Sequence, residues 1–99
     1  MGNYTINLFT MVGCGHCVKM KEFLTSKNLP YKEFPIGEHK DTFKQIVDLT
    51  GHNALPTLYL QDSETGEGPI FIPGRDYKDE NELMAKLGKY ISIENTKED

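Results

Sequence analysis

Cys14-Gly15-His16-Cys17 follows an apolar run, Ile6-Asn7-Leu8-Phe9-Thr10, after a loop of three residues. The run alternates and is rich in residues that favour strands, so it predicts a strand leading into the motif. From Cys17 onward apolar residues recur at helical spacing, which predicts a helix that opens at the motif. The sequence contains no other cysteine. A Cys-x-x-Cys pair between a strand and a helix is typical of thiol–disulfide redox chemistry.

Composition limits the number of domains and the kinds of partner. With 99 residues, 37% of them hydrophobic, the chain can bury one core, so we expect a single monomeric domain over residues 1–99. Its polar end, 93–99, is expected to fray. Acidic residues outnumber Lys and Arg by 15 to 11. This balance argues against nucleic acid as a partner, because phosphate binding needs a clustered basic surface.

The sequence also predicts a cellular location. Its apolar stretches are far shorter than the ~20 residues that span a bilayer, so no membrane partner is expected. The N-terminus lacks the basic flank and apolar block of a signal peptide, which favours a cytoplasmic location. In a reducing cytosol two isolated cysteines are poor candidates for a stabilising disulfide, and this favours a redox role for them.

Hydrophobic periodicity predicts seven secondary-structure elements. Pro35 assigns the second strand to an edge of the sheet, because proline cannot donate a ladder hydrogen bond. Gly51 predicts the end of the second helix, and Asp79 with Glu82 predicts the start of the third. The elements are a strand at 4–10, a helix from 14 that ends at 28–30, a strand at 31–36, a helix at 41–50, strands at 57–60 and 70–72 around a polar loop at 62–68, and a helix with Leu83, Leu87, Tyr90 and Ile91 on one face.

The predicted order is therefore βαβαββα. A first βαβ unit requires a parallel strand pair with a right-handed crossover, and the closely spaced third and fourth strands must be antiparallel. We expect an α/β protein with a four-stranded mixed sheet flanked by three helices, which is a thioredoxin-like architecture.

Cys14 is the expected nucleophile and Cys17 the expected resolving thiol. A thiolate attacks one sulfur of a disulfide, and a second thiol releases the mixed disulfide that forms. Cys14 lies at the helix start, where free backbone N–H groups and the helix dipole stabilise a thiolate. No carboxylate occurs before Glu22, and Lys19 follows the motif, so nearby charges favour a lowered pKa for the Cys14 thiol. A protonated His16 acts in the same direction.

The chain resembles a glutaredoxin, and four short motifs between residues 6 and 87 carry the resemblance. They are Phe9-Thr10 before the cysteines, Cys14-Gly15-His16-Cys17-Val18-Lys19-Met20-Lys21 opening a helix, Leu55-Pro56-Thr57 before the third strand, and Pro73-Gly74-Arg75-Asp76 after the fourth. The resemblance implies the fold above, with a cis Pro56 facing the cysteines. It also implies a glutathione-linked oxidoreductase that reduces protein disulfides and glutathione mixed disulfides, with ribonucleotide reductase as a candidate partner.

The expected glutathione contacts rest on this resemblance alone. It implies that Leu55 pairs its backbone with glutathione, beside Pro56 and Thr57. It further implies that the turn at Gly74 and Asp76 holds the γ-glutamyl end of the tripeptide.

Two departures from the family pattern affect these contacts. Met11 stands where the family has a lysine that meets a glutathione carboxylate, and Pro73 stands where the family usually has glycine. Arg75 could replace the missing cation, because arginine pairs well with carboxylates.

Two metal-based alternatives stay open at this stage. The ligands of a zinc site would be Cys14, Cys17, His39 and His52. Structural zinc sites pair their ligands at both ends, whereas these histidines are far apart in the sequence. An iron–sulfur module would use Cys14 with glutathione, and Gly15 leaves this open because many redox members have proline there. Cys17 argues against it, since dedicated cluster carriers have serine at that place, so we expect no metal.

Overall fold

A computed structural model describes residues 4–91 of the chain. Its elements are β1 (Tyr4–Thr10), α1 (Gly15–Ser26), β2 (Tyr31–Pro35), α2 (Lys40–Thr50), β3 (Thr57–Asp62), β4 (Ile70–Phe71) and α3 (Glu80–Leu87). The predicted order βαβαββα is confirmed, with element ends within two residues of expectation except at α3. The predicted frayed tail, 93–99, lies outside the described residues, and the single-domain assignment stays a prediction.

The four strands form one mixed sheet in the order β2-β1-β3-β4. Strand β1 pairs parallel with β2 and antiparallel with β3, and β3 pairs antiparallel with β4. The edge position predicted for β2 from Pro35 is confirmed. Because β1 is central, its carboxyl end at Thr10 is fixed on both sides, opposite Pro35 and close to Thr57. The loop that follows β1 therefore starts from a rigid point.

Both faces of the sheet are covered. On one face, Ile6 and Leu8 of β1 belong to a core cluster that also includes Leu24 of α1 and Leu83 and Leu87 of α3. On the other face Phe9 packs with Phe43 and Ile46 of α2 in a second cluster. Consecutive strand residues point to opposite faces, and β1 is accordingly apolar on both. The burial of Leu8 thus holds α1 and α3 against one face of the sheet, and the burial of Phe9 holds α2 against the other.

The end of α2 and the start of α3 follow their sequence signals, whereas the end of α3 does not. Gly51 ends α2 in the left-handed conformation at φ 78°, as predicted. Asp79 caps α3 by accepting the Glu82 N–H at 2.9 Å, while the Glu82 carboxylate accepts the Lys78 N–H. The prediction that α3 carries Tyr90 and Ile91 is wrong, because the helix ends at Leu87.

The early end of α3 has a local cause. Gly88 follows Leu87 and is a poor helix former, and the backbone N–H groups of Tyr90 and Ile91 both turn back to the Leu87 carbonyl. Tyr90 remains exposed, and its ring meets that of the buried Phe71 edge-on at 6.1 Å. None of the helices in the described part of the chain has the length and apolarity needed to cross a membrane.

Candidate active site

Helix α1 begins at a cysteine side chain. Cys14 is the N-cap residue, with an extended backbone, and its Sγ accepts the backbone N–H of Cys17 at 3.1 Å. Its own N–H donates to the Met11 carbonyl at 3.2 Å, and its carbonyl accepts from Val18 at 3.2 Å. This is the usual N-cap arrangement with sulfur in place of oxygen. The Cys14 sulfur therefore lies at the positive end of the α1 dipole.

The two cysteines form a disulfide but differ in exposure. Their Cα atoms are 5.2 Å apart, within the normal range for a disulfide. Cys17 is 1% exposed, whereas Cys14 is only partly buried, and the intervening Gly15 and His16 are exposed. An incoming thiol or disulfide can therefore reach Cys14 more readily than Cys17.

The charges around the disulfide leave the start of α1 free of anions. The first turn of α1 contains no acidic residue, and Lys19 is exposed on the next turn. The nearest carboxylate on the cavity wall beside Cys14 is Glu33, on β2. The Thr10 hydroxyl donates to Glu33 at 2.8 Å and the Lys21 ammonium at 3.1 Å, and both bonds hold the pKa of that carboxyl below its usual value. Lys21 thus balances the Glu33 charge.

The loop before β3 is held by two buried hydroxyl groups. The Leu55–Pro56 peptide bond is cis, as the resemblance implied. Thr57, predicted as a glutathione contact, donates its hydroxyl to the Ala54 carbonyl at 2.7 Å. Tyr77 donates to the Pro56 carbonyl at 2.7 Å, and burial raises the pKa of its phenol. These bonds satisfy the carbonyls on both sides of the Leu55–Pro56 bond.

Tyr77 was missed in the sequence. Its partner is 21 residues away, and nothing in the spacing of the two residues signals the contact. Only its position directly after the Pro73-Gly74-Arg75-Asp76 motif could have drawn attention to it. Its ring is 5% exposed, so Tyr77 connects the segment before α3 to the Pro56 loop from inside the core.

Two cavities flank the first turn of α1. The first, of about 440 Å³, is lined by both cysteines together with residues of the 11–13 loop, α1 and β2. The second, of about 400 Å³, is lined by His16 and Lys19 of α1, by Leu55 and Pro56, and by Tyr77 among others. The predicted residues His16, Lys19, Leu55 and Pro56 are therefore brought together.

The remaining predicted glutathione contacts lie in a self-contained turn. The Asp76 carboxylate accepts the Ile72 N–H at 2.8 Å and the Arg75 Nε–H at 3.0 Å, and it forms an ion pair with Arg75 Nη2 at 2.9 Å. Arg75 also donates to the Ile70 carbonyl at 3.3 Å. Neither Arg75, Asp76 nor Gly74 lines the second cavity, which this turn reaches through Pro73 and Tyr77. A glutathione contact at these three residues stays a prediction.

The zinc alternative gains no support from the geometry. Within residues 4–91, no group of three or more His, Cys, Asp or Glu side chains is placed to hold a metal ion. His39 instead packs edge-on against Phe34, with ring centroids 4.9 Å apart. Because an iron–sulfur cluster shared with glutathione would use Cys14 alone, the expectation of a metal-free protein stays a prediction.

Comparison with known proteins places this site in a family. The sequence profile described as Glutaredoxin matches residues 6–64, which include both cysteines and Pro56. Glutaredoxin 1 of Rickettsia typhi is 30% identical over 67 residues, or 64% of this chain and 62% of that protein. Glutaredoxin 3 of Escherichia coli is 21% identical over 61 residues, covering 62% of this chain and 74% of that protein.

A third relative is named as a peroxiredoxin. Hybrid peroxiredoxin hyPrx5 of Haemophilus influenzae is 29% identical over 62 residues, or 63% of this chain and 25% of that protein. The chain thus matches less than two thirds of the length of this relative and of the Rickettsia typhi protein. With the profile covering more than half of the sequence, and with the disulfide, the cis peptide bond and the sheet order in place, the chain belongs to the glutaredoxin family.

Proposed function

We propose that the protein is a dithiol–disulfide oxidoreductase in which Cys14 attacks and Cys17 resolves. One observation carries the proposal. The two sulfurs are bonded to each other at the start of a helix, with Cys14 accessible and Cys17 buried. An accessible sulfur that caps a helix is favoured as the attacking thiolate, because N–H groups and the dipole stabilise its charge. A buried neighbour one turn away is suited to the second step.

The proposed cycle conserves atoms and electrons. The Cys14 thiolate attacks one sulfur of a substrate disulfide, forming a Cys14–substrate disulfide and releasing the other substrate sulfur as a thiolate. Cys17 loses its proton to water and attacks the Cys14 sulfur, which releases the second substrate thiolate. The substrate gains two electrons and two protons, and the protein is left with the Cys14–Cys17 disulfide.

The surrounding residues are proposed to tune and position this reaction. Gly15 leaves the approach to Cys14 open, and the positive charge of Lys19 favours the thiolate, as would the charge of His16 if its imidazole were protonated. The Leu55–Pro56 segment is proposed to meet the substrate on the side of the second cavity. Its fixed backbone, held through Thr57 and Tyr77, would lose little entropy on binding.

We propose glutathione as the reductant that returns the disulfide to the dithiol. Two glutathione molecules supply the two electrons: the first forms a mixed disulfide with Cys14, and the second releases it as glutathione disulfide. Family membership supports this choice. Protein disulfides and glutathione mixed disulfides are the proposed substrates, while ribonucleotide reductase as a partner, the monomeric state and the cytoplasmic location stay predictions.

The test compares two sources of electrons. Reduction of a peptide disulfide is followed by NADPH consumption, with glutathione and glutathione reductase in one assay and thioredoxin reductase in the other. We expect turnover with glutathione and at most a trace with thioredoxin reductase. The reverse result would overturn glutathione as reductant but keep the oxidoreductase, and absence of turnover in both would contradict the oxidoreductase itself.

A trapping experiment tests the division of roles. Cys17→Ser removes the resolving thiol, so the protein should accumulate as a covalent Cys14–substrate disulfide that intact-mass measurement detects. Cys14→Ser is the matched control and should form no adduct, because the buried Cys17 is poorly reached. Adducts of equal yield in both variants would contradict the assignment of Cys14 as nucleophile.

A further inference from the structure

Three exposed apolar residues line the first cavity. Met11, Val12 and Val18 line it with their side chains 49%, 93% and 50% exposed, and we call these three residues the apolar lip. Only one other large hydrophobic residue in the described part of the chain, Leu49, is at least as exposed as Met11. Exposed apolar side chains that cluster, rather than occurring singly, mark a binding surface.

The charges in this cavity neutralise each other. Among its described lining residues the charged ones are Lys21 and Glu33, and they form an ion pair at 3.1 Å. The Thr10 hydroxyl occupies the same Glu33 oxygen. An occupant with free carboxylates, such as glutathione, would have to compete with Glu33 for Lys21. An apolar occupant would cover the lip without disturbing the pair, so the charge pattern favours it.

The position of Cys14 indicates that the occupant of the first cavity is part of the substrate. Both cysteines line this cavity, together with the lip. During the proposed cycle Cys14 is covalently bonded to a substrate sulfur, so the chain beside that sulfur is held within reach of the lip. The occupant is therefore continuous with the reacting disulfide of the substrate.

We propose that the apolar lip binds an apolar side chain that flanks the reacting cysteine of a protein disulfide substrate. The inference rests on the proposed function, because it requires the Cys14–substrate disulfide. It makes the lip a specificity surface for extended, apolar polypeptide, separate from the cavity beside Pro56. Burying part of a leucine on such a surface raises kcat/KM for that substrate by about fivefold.

Two peptides and two variants test the inference. The peptides carry one internal disulfide and are identical except that leucine or serine follows the reacting cysteine. The double variant Met11→Ser with Val12→Ser removes most of the lip, and Val12 alone is so exposed that its loss costs almost no packing. Leu49→Ser is the matched control, since Leu49 is 77% exposed on α2 and lines a cavity that contains neither cysteine.

We expect the kcat/KM of the wild type to be about fivefold higher for the leucine peptide than for the serine peptide. For the double variant this ratio should be less than about twofold. The serine peptide should be reduced equally by both, and Leu49→Ser should behave as wild type. Equal rates for the two peptides with wild type, or a preference that survives in the double variant, would overturn the inference. Those results leave turnover intact, whereas failure of the proposed function would abolish reduction of both peptides.

Two other occupants give distinct results. If the double variant slows reduction of a small glutathione mixed disulfide while both peptides are unaffected, glutathione is the occupant and the inference is wrong. If wild type alone elutes as a dimer at high concentration, with no difference between the peptides, a second copy of the chain covers the lip and the inference is likewise overturned.

Discussion

Helix α1 begins at a sulfur atom and helix α3 at a carboxylate. Cys14 Sγ accepts the Cys17 N–H at 3.1 Å, and the Asp79 carboxylate accepts the Glu82 N–H at 2.9 Å. The two caps have the same geometry, with a side-chain acceptor three residues before the donor. They differ in their chemistry, because a carboxylate stays charged at neutral pH whereas a sulfur changes its charge with its redox state.

The first turns of the two helices also differ in their charged residues. The first turn of α3 contains Glu80 and Glu82, which complement the dipole of the helix. The first turn of α1 contains no acidic residue. The positive end of α1 is therefore left for the Cys14 thiolate, and α1 gives up part of the stability that α3 gains from its acidic residues. The cap of α3 stabilises the fold. In our proposal, the start of α1 instead stabilises a reactive anion, the Cys14 thiolate.

The largest expected effect separates these two roles at α1. Serine is a good N-cap residue, so Cys14→Ser keeps an acceptor for the Cys17 N–H but removes the nucleophile. We expect turnover of a disulfide substrate to fall by about a thousandfold or more. The free energy of unfolding of the variant should stay within about 1 kcal/mol of the reduced wild type, measured by urea denaturation. Turnover within tenfold of wild type would show that the sulfur is needed only as a cap.

The corresponding change at α3 affects stability alone. Asp79→Ala removes the acceptor for the Glu82 N–H and should lower the free energy of unfolding by about 1 kcal/mol. Asp79→Asn is the matched control, because its side-chain oxygen can still cap the helix, and it should cost only a few tenths of that. An equal loss in both variants would mean that charge, rather than the hydrogen bond, makes this cap.

Both caps could be predicted from the sequence, although by different signals. Asp79 with Glu82 is a local capping signal, and Cys14 follows from the motif and the strand before it, so both could be predicted. The order of elements and the edge position of Pro35 were likewise encoded within short windows. Such features depend on neighbours along the chain, where composition and spacing carry most of the information.

Contacts between distant segments were not predictable in this way. The Tyr77–Pro56 hydrogen bond and the Thr10–Glu33–Lys21 cluster join residues that only the folded sheet brings together. The motif also did not indicate that the Asp76 carboxylate would bind the Ile72 N–H and the Arg75 guanidinium. These contacts arise from tertiary packing, which local propensity does not determine.

A smaller change makes α1 resemble α3. His16→Glu introduces a carboxylate into the first turn of α1, where it competes with a thiolate for the dipole. It should raise the pKa of the Cys14 thiol by about half a pH unit. The measurement is the pH dependence of alkylation in a Cys17→Ser background. His52→Glu makes the same charge change at an exposed residue outside the helices and should leave the alkylation profile unchanged. Equal shifts in both variants would point to net charge instead of the helix start.

The smallest expected effect concerns the carboxylate nearest to Cys14 on the cavity wall. Bonds from Thr10 and Lys21 lower the pKa of Glu33, so its charge stabilises the folded state above the ordinary pKa of a glutamate. This stabilisation is lost as pH falls through the lower pKa of the folded state. Glu33→Gln keeps an acceptor for Thr10 but removes the charge that faces Lys21.

The wild type should therefore exceed Glu33→Gln in stability by a few tenths of a kcal/mol at pH 7, since the pair is about one-third exposed. Urea denaturation between about pH 7 and pH 3 should show this difference shrinking below about pH 5. Glu22→Gln, at an exposed residue of α1, is the matched control and should show no such change. A constant difference across the range would mean that Glu33 acts through its hydrogen bonds and not through its charge. In that case Lys21 would not neutralise Glu33, and an uncompensated carboxylate would face the same cavity as the Cys14 thiolate, which would weaken the contrast between the starts of α1 and α3.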